Sequence, residues 1–100
     1  MHSVVLSVNK IPIRLTDERW EHIMEEHGEL IAMQAHVIET VAAPDRVLAG
    51  GAGELLAVRE IETGKWLVVV YKEINVDGFI ITAFLPRRTR SLERRIQLWP

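Results

Sequence analysis

Residues 65–73 read Lys-Trp-Leu-Val-Val-Val-Tyr-Lys-Glu, and this stretch decides the fold. It is rich in β-branched and aromatic residues and holds a continuous apolar run from Leu67 to Val70, so it predicts a strand. Successive strand residues face opposite ways, so both faces of this strand are apolar. One face carries Leu67, Val69 and Tyr71, and the other carries Trp66, Val68 and Val70.

Further strands are predicted before and after this one. Residues 54–61 and 79–85 are predicted as its neighbours, and residues 47–48 as a short fourth strand. Residues 75–78, Asn-Val-Asp-Gly, are predicted as the connecting turn because Asp-Gly favours a hairpin. Alternation in the strand at 79–85 predicts two opposed sets of side chains. These are Ile80, Thr82 and Phe84 on one face, and Phe79, Ile81 and Leu85 on the other.

The first half of the chain predicts one strand and two helices. Residues 3–8 predict a strand, and Pro12 restricts the extended segment that follows it to the edge of a sheet. Thr16 is a good N-cap for a first helix, whose opening acidic residues suit the helix dipole. A second helix is predicted from about Glu29 to Ala42, and a short terminal helix within residues 90–98.

This order of elements predicts an α+β domain. It is an N-terminal strand, two helices, an antiparallel sheet of three to four strands and a short basic C-terminal segment. A length of 100 residues predicts one domain, 1–100. The two helices cover one face of the sheet. The other face needs the N-terminal strand, the segment with Leu98 and Trp99, or a second subunit, so we expect a homodimer.

Composition and charge exclude several classes of protein. The formal net charge is −2, with −5 over residues 1–55 and +3 over residues 56–100. Five of the nine arginines lie between Arg87 and Arg95, which predicts a basic patch at one end. There is no cysteine, which excludes disulfides and thiolate sites and fits a reducing cytoplasm. No apolar run is long enough to cross a membrane, and nothing in the sequence suggests a cofactor.

Histidine and arginine supply the candidate functional side chains. His22 flanks the apolar stripe of the first helix, and His27 lies on that stripe near the helix end. Arg59 shares a strand face with apolar residues, so its charge needs a partner or a ligand. The simplest partner is Glu21 or Glu25, and a structural ion pair and an anion site are both open interpretations.

The remaining candidates have a bland interpretation beside the functional one. Thr82 is either a strand residue or a hydroxyl donor, and Lys72 is a long side chain near a strand end. Arg87 and Arg88 form either a phosphate patch or a solvated surface. The two histidines at positions 22 and 27 stand five residues apart, which places them about 140° apart on a helix and argues against a shared metal.

Several of these stretches together resemble a known group of small nuclease domains. The chain is similar to the phage- and toxin-associated domains grouped with barnase, EndoU, colicin and RelE-type nucleases, over roughly residues 13–88. No single motif in the match is as specific as a paired-cysteine zinc motif. The similar stretches are Ile13-Arg14-Leu15-Thr16-x-x-Arg19-Trp20-x-His22-Ile23, His27-Gly28-Glu29-Leu30, Glu54 to Arg59, Leu67 to Lys72 and Phe79 to Phe84.

The resemblance implies a metal-independent ribonuclease, in which a ribose 2′-hydroxyl attacks the neighbouring phosphate. It implies a histidine on the first helix, an arginine or lysine on a central strand, and a serine or threonine on the last strand. In this sequence those positions are His22 or His27, Arg59 or Lys72, and Thr82. Relatives often carry tyrosine where this chain has a phenylalanine at position 84, which removes one hydroxyl.

Two functions follow as hypotheses. The first is a toxin-like RNA-cleaving domain with His22, His27, Arg59 and Thr82 as catalytic residues, and RNA and a protein inhibitor as partners. The expected phosphate contacts are Lys72, Arg87 and Arg88, with no metal. The alternative is a non-catalytic, homodimeric module of the same fold that binds RNA or protein.

Overall fold

A mixed sheet forms the centre of the protein, whose residues 2–100 are described by a computed structural model. Seven strands and three α-helices lie within residues 2–100, so the predicted α+β class is confirmed, with more strands than expected. The elements are β1 (His2–Leu6), β2 (Pro12–Thr16), α1 (Asp17–Glu26), a 3₁₀ helix (Gly28–Leu30), α2 (Gln34–Ala42), β3 (Arg46–Ala49), β4 (Leu55–Glu62), β5 (Lys65–Ile74), β6 (Asp77–Phe84), α3 (Arg90–Glu93) and β7 (Gln97–Trp99).

The strand order is β1-β2-β6-β5-β4-β3-β7. Neighbouring strands pair antiparallel except β2 and β6, which are parallel through Ile13–Gly78 and Arg14–Phe79. The prediction that Pro12 restricts its strand to an edge is wrong. Pro12 is the first residue of β2 and pairs only with Leu6 of β1, so its missing N–H removes no bond to β6.

The helices follow the predicted caps but not all the predicted bounds. Thr16 caps α1, because its Oγ1 accepts a hydrogen bond from the backbone N–H of Arg19 at 3.1 Å. The predicted second helix from Glu29 to Ala42 is wrong in its first part. That part is the separate 3₁₀ helix, and α2 begins only at Gln34.

Helices α1 and α2 cover one face of the sheet, which we call the helix side. α2 contacts β1 near one edge of the sheet and also β4 and β5, so the sheet curves around it. Trp20 and Ile23 of α1 and Val37 and Val41 of α2 are buried against the strands. The strand residues of this core are Ile13, Leu15, Ala57, Leu67, Val69, Tyr71, Ile80 and Ala83.

The opposite face, which we call the open side, is covered in one part only. Leu92 of α3 is buried there against a second apolar cluster. That cluster consists of Leu48, Leu56, Val58 and Val68, flanked by Trp66, Val70 and Phe84. The predicted terminal helix over residues 90–98 is wrong beyond Glu93, because residues 97–99 instead form β7 and pair with β3.

A bulge in β6 changes which of its residues share a face. Val70 pairs with Thr82 and Tyr71 pairs with Ile80, which leaves Ile81 as the extra residue. Strict alternation predicted Ile80 and Thr82 on the same face, and this prediction is wrong. Ile80 faces the helix side, and Thr82 faces the open side.

The β5–β6 turn lies two residues earlier than the Asp-Gly signal indicated. Asn75 has a φ of 57° in the two-residue turn, and Asp77 and Gly78 already belong to β6. Gly78 has a packing role instead. A Cβ on it would fall against the backbone oxygen of Lys72 and the side chain of Ile13, so glycine lets β6 fit between β2 and β5. No helix within residues 2–100 has the length and hydropathy needed to cross a membrane.

Candidate active site

A cavity of about 280 Å³ lies where β2 passes into α1. It is lined by Thr16, Glu18, Arg19 and His22. Thr16 is the last residue of β2 and the cap of α1, so its hydroxyl lies at the mouth of the helix. Glu18 and His22 are four residues apart, and this spacing places them on one face of a helix, one turn apart. The cavity therefore brings a hydroxyl, a carboxylate, a guanidinium and an imidazole together.

His22 is held by a carboxylate on its own helix. Its Nε2 lies 2.9 Å from Oε1 of Glu26, and both side chains are 56% exposed. Such a contact fixes the ring orientation and leaves Nδ1 as the nitrogen able to exchange a proton with a ligand. Within residues 2–100, Arg19 makes no ion pair with a carboxylate, so its guanidinium is open to an anion.

A second cavity of about 360 Å³ adjoins the first on the open side. Thr16 lines both cavities. The other walls are Arg14, Ile74, Asp77, Gly78 and Phe79. A hydrogen bond and ion pair from the Arg14 guanidinium lowers the pKa of Asp77, with a further contribution from the backbone N–H of Gly78.

His27 is not part of either cavity. It is the C-cap of α1, and its Nδ1 lies 3.5 Å from Oε1 of Glu29. Its ring centroid lies 6.3 Å from that of Phe84, with the rings tilted by 35°. The structure therefore places His27 near the far end of β6, one helix length from the cap at Thr16.

Arg59 lies on the helix side and has a glutamate partner. Its Nη1 is 3.3 Å from Oε1 of Glu39 on α2, so the expectation of Glu21 or Glu25 is wrong. The contact meets the distance of an ion pair but not hydrogen-bond geometry, and the buried Nη1 has no hydrogen-bond partner within residues 2–100. We give the ion pair more weight, because charge attraction does not require a linear bond.

Thr82 and Lys72 lie on the other side of the sheet from Arg59. Thr82 pairs with Val70, and Lys72 pairs with Phe79. The pKa of Glu54 is lowered mainly by hydrogen bonds from backbone N–H groups, of Ala52 first, and the charge of Lys72 adds to this.

Arg87 and Arg88 are exposed in the segment between β6 and α3. They line neither cavity. Of the residues predicted from sequence, only His22 therefore lies in the cavity at the β2–α1 junction. The bulge in β6 and the Glu39 contact separate Thr82 from Arg59.

Sequence reasoning missed Thr16, Glu18 and Arg19 as site residues. Thr16 and Glu18 already had a structural explanation, as a cap and as an acidic residue in the first helical turn. The spacing Thr16-x-Glu18-Arg19-x-x-His22 was the available signal, since it places a cap and one following turn of helix around a common point. Against known proteins, no family model, curated protein or solved structure matches this chain.

Proposed function

We propose that this protein cleaves RNA without a metal ion, at the cavity between β2 and α1. One observation carries the proposal: Thr16, Glu18, Arg19 and His22 line the same cavity. Cleavage by the ribose 2′-hydroxyl needs a base, an acid and donors to the phosphate, and these side chains supply each of them. The resemblance to the nuclease group is a second support, because Thr16, Arg19 and His22 all belong to the similar stretch.

Each side chain has a role in the proposed reaction. The Glu18 carboxylate takes the proton of the 2′-hydroxyl, and the 2′-oxygen forms a bond to phosphorus. The P–O5′ bond breaks, and the imidazolium of His22 gives its proton to O5′. The products are a 2′,3′-cyclic phosphate and a 5′-hydroxyl. Arg19 and the Thr16 hydroxyl donate hydrogen bonds to the phosphate oxygens as charge develops on them.

The other predicted residues have different places in this proposal. Lys72, Arg87 and Arg88 remain predicted contacts for the flanking RNA backbone. Arg59 and His27 have carboxylate partners outside the cavity, and Thr82 is left without a catalytic role. The toxin-like character, a protein inhibitor and a cytoplasmic location remain predictions of the same hypothesis.

Cleavage of RNA by purified protein in EDTA tests the proposal. We expect His22→Ala and Glu18→Gln each to lower the rate by about 100-fold or more, as removal of an acid or a base does. His36→Ala is the matched control, because His36 is exposed on α2 and lines neither cavity. Intact RNA at high wild-type concentration would reject the proposal, as would equal rates for the His22→Ala and His36→Ala variants. Cleavage that EDTA abolishes would reject its metal-independent mechanism.

A second function is a homodimeric binding module, and the edge of the sheet favours it. β1 is an edge strand without lysine or proline, and Val4 and Leu6 on it are 54% and 53% exposed. Unprotected apolar edges pair readily with another strand. Light scattering of the eluting protein measures its mass in solution. We expect a dimer that Val4→Lys converts to a monomer, and a wild-type monomer at high concentration would reject this function.

A further inference from the structure

We infer that the second cavity, beside Phe79, binds a nucleobase of single-stranded RNA next to the cleaved phosphate. This inference rests on the proposed function and extends it to a substrate subsite. Phe79 is 42% exposed and lines the cavity together with Arg14 and Ile74. Exposed aromatic rings are the usual surfaces on which single-stranded bases stack, because every base has a π-face.

The strand register explains why Phe79 faces the ligand side. Phe79 pairs with Arg14 on one side and with Lys72 on the other, and all three lie on the open side of the sheet. α3 and Leu92 cover this side only over the cluster on β3, β4 and β5. The ring of Phe79 therefore stays available, whereas its neighbour Ile80 is buried on the helix side.

The charges assign different parts of a nucleotide to the two cavities. At the Phe79 cavity, Arg14 is neutralised by Asp77, so this cavity suits an uncharged ring and its carboxylate disfavours a phosphate. At the neighbouring cavity, Arg19 has no ion-pair partner within residues 2–100 and suits an anion. The Arg14–Asp77 pair also offers donors and an acceptor to the polar edge of a base.

The two cavities are close enough for one nucleotide chain to occupy both. Thr16 lines both of them, and it lies two residues beyond Arg14 in β2, or about 6.6 Å along a strand. A volume of about 360 Å³ is within the range of small-molecule sites. A base on Phe79 can therefore belong to a nucleotide adjoining the phosphate at Arg19.

Binding of an RNA that cannot be cleaved tests this inference apart from catalysis. The probe is a short, fluorescently labelled 2′-O-methyl oligonucleotide, compared with an abasic oligonucleotide of the same length by fluorescence anisotropy. We expect Phe79→Ala to weaken binding of the complete oligonucleotide by about 5- to 150-fold and to leave binding of the abasic one unchanged. Phe79→Trp keeps a stacking surface and retains affinity. Trp99→Ala is the matched control, because Trp99 is a partly exposed aromatic residue on β7 at the other edge.

The outcomes separate this inference from the proposed function. Equal affinities of wild type and Phe79→Ala for the complete oligonucleotide would overturn the subsite, and so would an equal loss for both oligonucleotides. No binding of either oligonucleotide, with Phe79→Ala instead changing the mass of the protein in solution, would overturn it in favour of protein docking. If no RNA is cleaved but Phe79→Ala still weakens base-dependent binding, the proposed function fails and the base site stands.

Discussion

The hydroxyl of Ser7 donates a hydrogen bond to Oε2 of Glu73 at 2.5 Å, across 66 residues of sequence. Asn9 Nδ2 donates to the other oxygen of the same carboxylate at 3.0 Å. Ser7 is almost completely buried, at 2% exposure. These contacts tie the turn between β1 and β2 to the end of β5. They therefore fix the strand that carries Arg14 and Thr16 to the two cavities.

We expect Ser7→Ala to destabilise the protein by about 1–3 kcal/mol, because a buried hydrogen bond to a charged acceptor is lost. Urea denaturation followed by circular dichroism gives the free energy of unfolding. Ser91→Ala is the control, since Ser91 is exposed on α3 and should change stability little. If both variants lose the same stability, Ser7 and Glu73 do not hold the turn.

Tyr71 has a buried hydroxyl that has no hydrogen-bond partner within residues 2–100. A buried polar group without a partner costs about 1–3 kcal/mol, so we expect Tyr71→Phe to stabilise the protein by about 1 kcal/mol. The ring stays in the helix-side core, and no cavity forms. Urea denaturation at neutral pH measures the gain. A clear loss of stability would show that the hydroxyl has a partner, such as a bound water.

The same residue predicts a loss of stability at alkaline pH. Burial raises the pKa of Tyr71 to about 12, and the Glu73 charge adds to this rise. The unfolded chain releases the tyrosine proton near pH 10 while the folded protein keeps it, so stability is full below pH 10 and falls towards pH 12. We expect wild type to lose about 1 kcal/mol more than Tyr71→Phe between pH 9 and pH 11. Parallel losses in both proteins would contradict the raised pKa.

The sequence predicted the strands of this fold better than their surroundings. The apolar run at 67–70 is strong enough to identify β5 from local pattern alone. The place of β2 in the sheet depends on Pro12 standing at a strand end, and the facing of Thr82 depends on one extra residue in β6. Both are tertiary events that periodicity does not encode.

The candidate site was predictable only in part for a related reason. His22 stood out because imidazole is rarely without interest, whereas Thr16 and Glu18 were already explained by helix capping and the helix dipole. Arg59 stood out because it is charged on an apolar strand face. Its partner, Glu39, comes from α2, and only the packing of the helices decides which glutamate reaches it.

Arg59 separates the structural interpretation from the catalytic one. Because it pairs with Glu39 and lines neither cavity, we expect Arg59→Ala to cost about 1–2 kcal/mol of stability, from lost packing of its stem and a partly exposed ion pair. RNA cleavage at a temperature where the variant is folded should stay within a few-fold of wild type. A loss of 100-fold with the fold intact would instead return Arg59 to the catalytic residues that the resemblance implies.

Gly78 connects the packing of the sheet to the Phe79 cavity. Because a Cβ at this position would press on the backbone of Lys72 and on Ile13, we expect Gly78→Ala to cost about 1–3 kcal/mol, as overpacking does. The strain moves β6 away from β2 or β5 and displaces the neighbouring Phe79.

The control for this prediction is another glycine with free space around it. A Cβ on Gly51 would meet nothing within 4 Å, so Gly51→Ala should leave stability nearly unchanged. Urea denaturation ranks the two variants, and anisotropy with the 2′-O-methyl oligonucleotide shows whether Gly78→Ala also weakens RNA binding. If Gly78→Ala is as stable as Gly51→Ala, β6 has room to shift, and the close contact between β2, β6 and β5 is not what shapes the cavity.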